Sequence, residues 1–420
     1  MKHDLVIRNG MVLTPDGAQA IDVAINGKGI AAVGGSFDGA EEVDADGAWV
    51  GPGLVDLHAH FREPGQEWKE DIRSGSEAAA AGGYTAVVAM PNTRPAVDSG
   101  HIARLIRDRS RQVGLCDVIP AGAITMGREG AQLAHLDELW EAGVRVFTDD
   151  GDSVSDSGLL RVAMEYLAER GAVVAQHAED RSLAAGGHMH EGTLSARLGM
   201  KGIPAEAEEV VVGRDLALTR LTGCRYHVQH VSSARTIPLL SKAKADGLPV
   251  TAEVTPHHLT FDDAAAGSLD PAFKMYPPLR SSSDRNELRL ALSSGLIDAV
   301  ATDHAPHSAF ETEVPFEEAP RGVIGLETSA AAVLTYCQLD QASFFDRLSV
   351  APARIGQIAR QGRLVAPGEP ANLTVIAPTE EWTVNAFRSK AENSPFRSLT
   401  LTGRVRATVF EGRLVHALVS

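Results

Sequence analysis

The sequence predicts an α/β fold: a (β/α)8 barrel of the TIM type with a small β-sandwich formed by both termini. Three observations predict it. The middle of the chain repeats, eight times, a strand-like apolar run followed by a segment of helical period. Both ends are instead rich in short alternating runs punctuated by turn residues. No GxGxxG follows the first run, so a doubly wound dinucleotide sheet, the main alternative, lacks its fingerprint. The expected division is a barrel over residues 52–363 and a terminal unit over 1–51 and 364–420.

In the N-terminal part, Leu5 to Arg8 and Met11 to Thr14 flank Asn9-Gly10, which reads as a hairpin turn. Ile21 to Ile25 and Ile30 to Val33 repeat the pattern around Asn26-Gly27, and the tail repeats it around Glu411-Gly412. The eight barrel runs are 53–60, 85–90, 117–123, 144–148, 172–177, 226–231, 249–255 and 297–302. Alanine- and leucine-rich stretches such as 158–170 and 284–294 carry the helical period between them.

Composition narrows the partners. The 420 residues are 44% hydrophobic and 22% charged, an ordinary globular balance, and the formal net charge is −16. Such a surface repels phosphate backbones and anionic lipid, which argues against nucleic acid and membrane. A local pocket can still reverse the field, so a small anionic substrate stays open. Cys116, Cys224 and Cys337 are far apart and form no CxxC, which suggests reduced thiols in a cytoplasmic protein. The first residues alternate polar with apolar, unlike a signal peptide, and no apolar stretch approaches the ~20 residues that span a bilayer.

The chemistry-bearing residues fall at the ends of the runs. Asp56, His58 and His60 alternate along the first, so both histidines face one side. His177 ends the fifth run, His230 the sixth and Asp303 the eighth, while Asp149-Asp150-Gly151 closes the fourth. In a barrel these ends meet at one rim. Any single histidine there reads as a hydrogen-bonded structural residue. Imidazoles and carboxylates gathered together would be costly without a cation, so the set reads as a metal site.

These residues stand inside longer motifs. Asp56-Leu57-His58-Ala59-His60-Phe61-Arg62-Glu63-Pro64-Gly65 resembles the signature of bacterial class I dihydroorotases, within the amidohydrolase superfamily. Met90-Pro91-Asn92-Thr93, His177-Ala178-Glu179, His230-Val231-Ser232, Thr255-Pro256-His257-His258, Asp303-His304-Ala305-Pro306-His307 and Asn393-Ser394-Pro395-Phe396 match in order, and the likeness spans essentially the whole chain. The resemblance implies two zinc ions per chain, although manganese or cobalt suits the same ligands. It assigns His58, His60 and Asp303 to one metal, His177 and His230 to the other, and Asp150 to the bridge. Asp303 would also be the general acid–base, acting with a water activated between the metals. Arg62, Asn92 and His307 would hold a ring carboxylate; without the motif, Arg62 would read as a surface ion pair with Glu63 or Glu67. The resemblance further implies a homodimer, with aspartate transcarbamoylase as a conceivable partner.

Two positions depart from the family. Tyr276 stands where asparagine is usual, and Arg321, before Gly322, where phenylalanine is usual. All three would line the substrate ring, so these departures bear on which ring fits. Three functions follow: reversible cyclisation of N-carbamoyl-L-aspartate to dihydroorotate in pyrimidine biosynthesis; hydrolysis of another carboxylate-bearing cyclic amide, imide or hydantoin; or a non-catalytic scaffold, which would be expected to lose ligands. His188-Met189-His190 reads as a loop without a strand, and of His257 and His258 at most one should face inward. His3, His101, His135 and His416 read as surface, and Glu206 to Glu209 as a helix start.

Overall fold

The N-terminal strands are β1 (Lys2–Thr14), β2 (Gly17–Asn26), β3 (Gly29–Val33), β4 (Asp38–Asp44) and β5 (Trp49–Pro52) in the computed structural model, which describes residues 2–418. Met1, Val419 and Ser420 of the expected terminal unit lie outside the described residues. The hairpin expected at Asn9-Gly10 is not there: β1 runs straight through it, with a register shift between Ile7 and Gly10, and turns only after Thr14. A bulge needs the same left-handed residue as a turn, and Asn9 supplies it at φ 55. Its backbone N–H donates to Asp22 and its side-chain amide to Asp44. Gly10 is fixed by contact, since a Cβ there would meet Val50 at 2.5 Å. The turn at Asn26-Gly27 does join β2 to β3.

The middle of the chain supplies ten further strands. They are β6 (Leu54–Ala59), β7 (Tyr84–Ala89), β8 (Asp117–Pro120), β9 (Val146–Phe147), β10 (Val173–Gln176), β11 (Met189–His190), β12 (Gly202–Ile203), β13 (Arg225–Val228), β14 (Val250–Val254) and β15 (Ala299–Val300). Leaving aside β11 and β12, these are the eight expected runs. They pair in parallel as β6-β7-β8 and β9-β10-β13-β14-β15. Bridges Gly122↔Phe147 and Ala59↔His304 join the two groups at both ends, so the pairing returns to β6. Parallel strands covered on both faces read as near-continuous apolar runs, and every residue of β6, β7 and β10 is buried, the polar Asp56, His58 and Gln176 included.

A helix follows each of the eight strands, for example Ile72–Ala81 after β6 and Ser157–Ala168 after β9. The Asp71 carboxylate caps the first by accepting the Ser74 N–H, and Asp156 caps the second through Gly158 and Leu159. Glu206 to Glu209 does open a helix, Glu206–Thr222.

Three C-terminal strands complete the fold: β16 (Leu373–Thr383), β17 (Thr400–Phe410) and β18 (Arg413–Ala417). β16 pairs antiparallel with β5, Val375 opposite Val50, so both ends of the chain share one sheet in the order β18-β17-β16-β5-β1-β2-β3, with β4 on β1. Leu5, Ile7, Val23, Val50, Leu373 and Val409 belong to its buried core.

Two histidine expectations need correction. His188-Met189-His190 does carry a strand, because β11 pairs with β12, a partner supplied by tertiary folding. His257 and His258 are both buried, since Thr255 caps a short helix, Pro256–Thr260, in which strand alternation does not apply. His101 and His135 are exposed as expected, whereas His3 and His416 are half-buried.

Candidate active site

Three backbone oddities mark the rim where the strands end. Arg62, His230 and Asp303 hold φ of 61°, 32° and 46°, conformations that L side chains rarely adopt. Each costs on the order of 1–3 kcal/mol and persists only where the surroundings fix it. Each follows a strand and aims a functional side chain back over the ring. Asp56, which sequence placed with the histidines, is structural. Its carboxylate accepts the N–H groups of His58 and Thr302, tying the first strand to the end of the eighth.

Above that tie the expected side chains converge. His58 Nε2 lies 3.2 Å from Asp150 Oδ1 and 3.5 Å from Asp303 Oδ1; His60 Nε2 lies 3.0 Å from Asp303 and 3.5 Å from Asp150 Oδ2. On the other side, His177 Nδ1 is 2.9 Å from His230 Nε2, which is 3.6 Å from Asp150. Asp150 therefore reaches both histidine pairs. Two triads, His58-His60-Asp150 and Asp150-His177-His230, have their donor atoms within 4.8 Å of one another. Asp149 turns away to accept the N–H groups of Ile124 and Thr125 and so holds the loop that presents Asp150.

The donors fit a cation. His58 Nε2, Asp150 Oδ1 and His177 Nε2 are buried without a hydrogen-bond partner among the described residues, despite the close His58–Asp150 approach. Orphaned polar atoms cost about 1–3 kcal/mol each unless something else satisfies them. Burial, reinforced by His230, pushes His177 down to about 3, so its imidazole is neutral and one ring nitrogen keeps a free lone pair. Burial opposes charge on Asp150 and Asp303, yet the surrounding histidines hold both carboxyls below their usual range.

A carboxylate that sequence reasoning missed supports this cluster. Glu253 Oε1 lies 2.9 Å from His58 Nδ1 and its Oε2 3.0 Å from His227 Nε2, all three buried. Accepting the His58 Nδ1–H turns Nε2 toward the cluster, the nitrogen a metal would bind. Against burial, Asp150 and Asp303 raise this imidazole above its usual range, so a cation there would take the place of the Nε2 proton. Against its burial, these two histidines pull the Glu253 carboxyl down to about 2. The signal was one acidic residue in the buried run Val250–Val254.

A cleft of about 270 Å³ opens onto the cluster, lined by Arg62, Asn92, Tyr276, His307, Arg321 and Gly322 as well as the rim residues. Arg62 is buried and forms no ion pair with Glu63 or Glu67: its Nε donates to Pro306 O, and Nη1 and Nη2 meet no partner among the described residues. Burial lowers its guanidinium to about 10, which leaves it cationic at neutral pH. Asn92 Oδ1 lies 2.9 Å from His60 Nδ1, which orients that ring. His307 Nε2 donates to Arg321 O, and Gly322 donates to Lys274 O while accepting from Asn393 Nδ2. His307 and Gly322 thus shape the wall with groups already engaged.

The family model described as Dihydro-orotase-like matches residues 47–236. The chain is 44% identical to the dihydroorotase of Anaeromyxobacter dehalogenans (strain 2CP-1 / ATCC BAA-258), covering 99% of this chain and 98% of the relative. The chain belongs to the dihydroorotase family. The dihydroorotase of Mycobacterium leprae (strain TN) is likewise 44% identical, over 97% of each chain. Among solved structures, the L-hydantoinase (dihydropyrimidinase) of Arthrobacter aurescens superposes with a TM-score of 0.87 at 26% identity, covering 99% of this chain and 98% of that one. As a member of the dihydroorotase family the protein is a cyclic-amide hydrolase of the amidohydrolase superfamily. The family implies a divalent metal, and the two triads could hold it. Among the described residues no helix is long and apolar enough to cross a membrane.

Proposed function

We propose that this chain interconverts N-carbamoyl-L-aspartate and dihydroorotate in pyrimidine biosynthesis. The site would sit at the rim of a (β/α)8 barrel over 52–363, flanked by a β-sandwich from 1–51 and 364–420. The observation that carries this reading is a buried cluster of four histidines and two aspartates facing the uncommitted edge of Arg62 across one cleft. His58, His60 and Asp303 would hold one zinc, His177 and His230 a second, with Asp150 between them. Bound there, such ions polarise a carbonyl and make water a competent nucleophile at neutral pH.

The residues do the rest. Arg62 offers two parallel N–H groups to the ring carboxylate and so fixes which amide bond faces the cluster. Asp303, held ionised by its histidine neighbours, accepts a proton from the attacking water and returns it to the departing amide nitrogen. In ring closure the same carboxylate takes the proton from the ureido nitrogen. A scaffold without catalysis would be expected to lack some of the six groups, and all six are present. The family resemblance further suggests a cytoplasmic homodimer.

Tyr276 and Arg321 on the cleft wall favour a second reading, in which another carboxylate-bearing cyclic ureide or imide is the better substrate. Purified protein with measured metal content, assayed on dihydroorotate, hydantoins and imides, separates the two. Two metals with fastest turnover of dihydroorotate supports the first. Faster turnover of another ring supports the second, and no turnover of any overturns both.

A further inference from the structure

Tyr276 and Arg321 lie on different loops, yet they touch. The Arg321 guanidinium carbon sits 4.2 Å from the centre of the Tyr276 ring, within cation–π range. Tyr276 in turn packs on the imidazole of His177, with ring centres 4.5 Å apart and planes tilted by 38°. Arg321 is anchored at both ends: its Nη2 donates to Gly187 O at 2.6 Å, and its carbonyl accepts from His307 Nε2 at 2.9 Å. The contacts therefore join the segments after β10, β14 and β15 around one side of the cleft. Among the described residues the Arg321 Nε and Nη1 groups and the Tyr276 hydroxyl take no hydrogen-bond partner, and both side chains line the cleft beside Arg62.

We propose that Tyr276 and Arg321 form a single coupled specificity element: Arg321 clamps the Tyr276 ring against His177 and presents its remaining N–H groups to an acceptor carbonyl on the substrate ring. This deepens the cyclic-ureide reading above and rests on it. The clamp sets the width of the slot between the phenol ring and the rest of the cleft. The guanidinium adds a second cationic contact, distinct from the Arg62 contact to the carboxylate. The ligand class is a small cyclic ureide with a carboxylate at one position and a carbonyl oxygen at another. A wall shared by two side chains should lose its function when either is removed, because a tyrosine without its clamp and a guanidinium without its platform both lose their position.

A double-mutant cycle tests this. Tyr276→Leu removes the ring face, and Arg321→Met removes the planar cation while keeping its length. The readouts are kcat and KM for dihydroorotate and for a five-membered carboxylate-bearing hydantoin. Each single change should lower kcat/KM about tenfold, mostly through KM, and shift the preference between the two rings. The double variant should fall about as far as the poorer single one. A double loss equal to the product of the single losses, on the order of a hundredfold, would overturn the coupling, as would singles that leave KM and ring preference unchanged. Arg321→Lys keeps the charge but not the plane, and should behave in the cycle as Arg321→Met does; it decides the matter if the methionine variant fails to fold. Tyr276→Phe keeps the platform and should stay within about twofold of the parent, whereas a loss as large as that of Tyr276→Leu would contradict the ring-face argument. The two readings fail separately. A parent protein that carries metal but opens no cyclic ureide sinks the functional reading, whereas an active parent with an additive cycle sinks the pair alone.

Discussion

The rim of the eight-strand ring and the sheet formed by the termini both rest on buried strand residues, but they use those buried positions differently. In the terminal sheet Leu5, Ile7, Val50, Leu373 and Val409 fill a core, and positive φ falls on Asn9, Asp46 and Glu411, at a bulge and at turns. At the rim the same conformations fall on Arg62, His230 and Asp303, and buried polar atoms of His58, Asp150 and His177 have no hydrogen-bond partner among the described residues. One region is arranged for stability. The other carries strain and unsatisfied groups that only a bound cation and substrate would repay.

The largest effect that sharpens this contrast is expected at His177. His177→Ala should lower turnover on the order of a thousandfold or more, because it removes a proposed ligand. Circular dichroism of the metal-free variant should still show the parent's fold, with any loss of thermal stability coming from the vacated contacts to His230 and Tyr276 rather than from the missing metal. Full activity in the variant would strike His177 from the ligand set.

Leu373→Ala probes the other region. Truncating this fully buried core residue should cost about 2–5 kcal/mol in urea unfolding while kcat/KM of the folded enzyme stays the same. A loss of kcat/KM at full folding would break the division between the two regions.

Glu253→Gln lies between these extremes. The amide can no longer accept from both His58 and His227, so metal affinity, measured by competition with a chelator, should drop about 10–100-fold while excess zinc restores turnover. Unchanged affinity would make Glu253 a packing residue only.

The smallest effect is expected where ring and terminal sheet meet. Burial pushes the Glu327 carboxyl up to about 7, against the N–H groups it accepts from Arg388 and Ser389. A folded value above the unfolded 4.5 means that its stabilising contribution is whole below about 4.5 and is lost as pH climbs through about 7. Glu327→Gln stays neutral throughout, so it should gain stability relative to the parent between about pH 5 and about pH 8. Parallel unfolding curves at the two pH values would contradict that shift.

Much of the site was legible because parallel strands deliver their C-terminal ends to one rim, so His58, His177, His230 and Asp303 could be brought together by counting strands alone. Glu253 and His227 were not legible: a single inward-facing polar residue in an apolar run carries no periodic signal. Asn9-Gly10 misled because a bulge and a hairpin turn ask for the same backbone. The strand at Met189–His190 and the Tyr276–Arg321 contact depend on partners that only the folded chain supplies. For His307 and Gly322 the motif indicated the wall of the cleft but not that their polar groups are already bonded within it.

The shared cation site is tested most directly by anomalous diffraction at the zinc edge from crystals grown with zinc. The expected map has two peaks, one within bonding distance of His58 and His60, the other of His177 and His230, with an Asp150 oxygen reaching each. A single peak, or two that Asp150 does not connect, would contradict the arrangement.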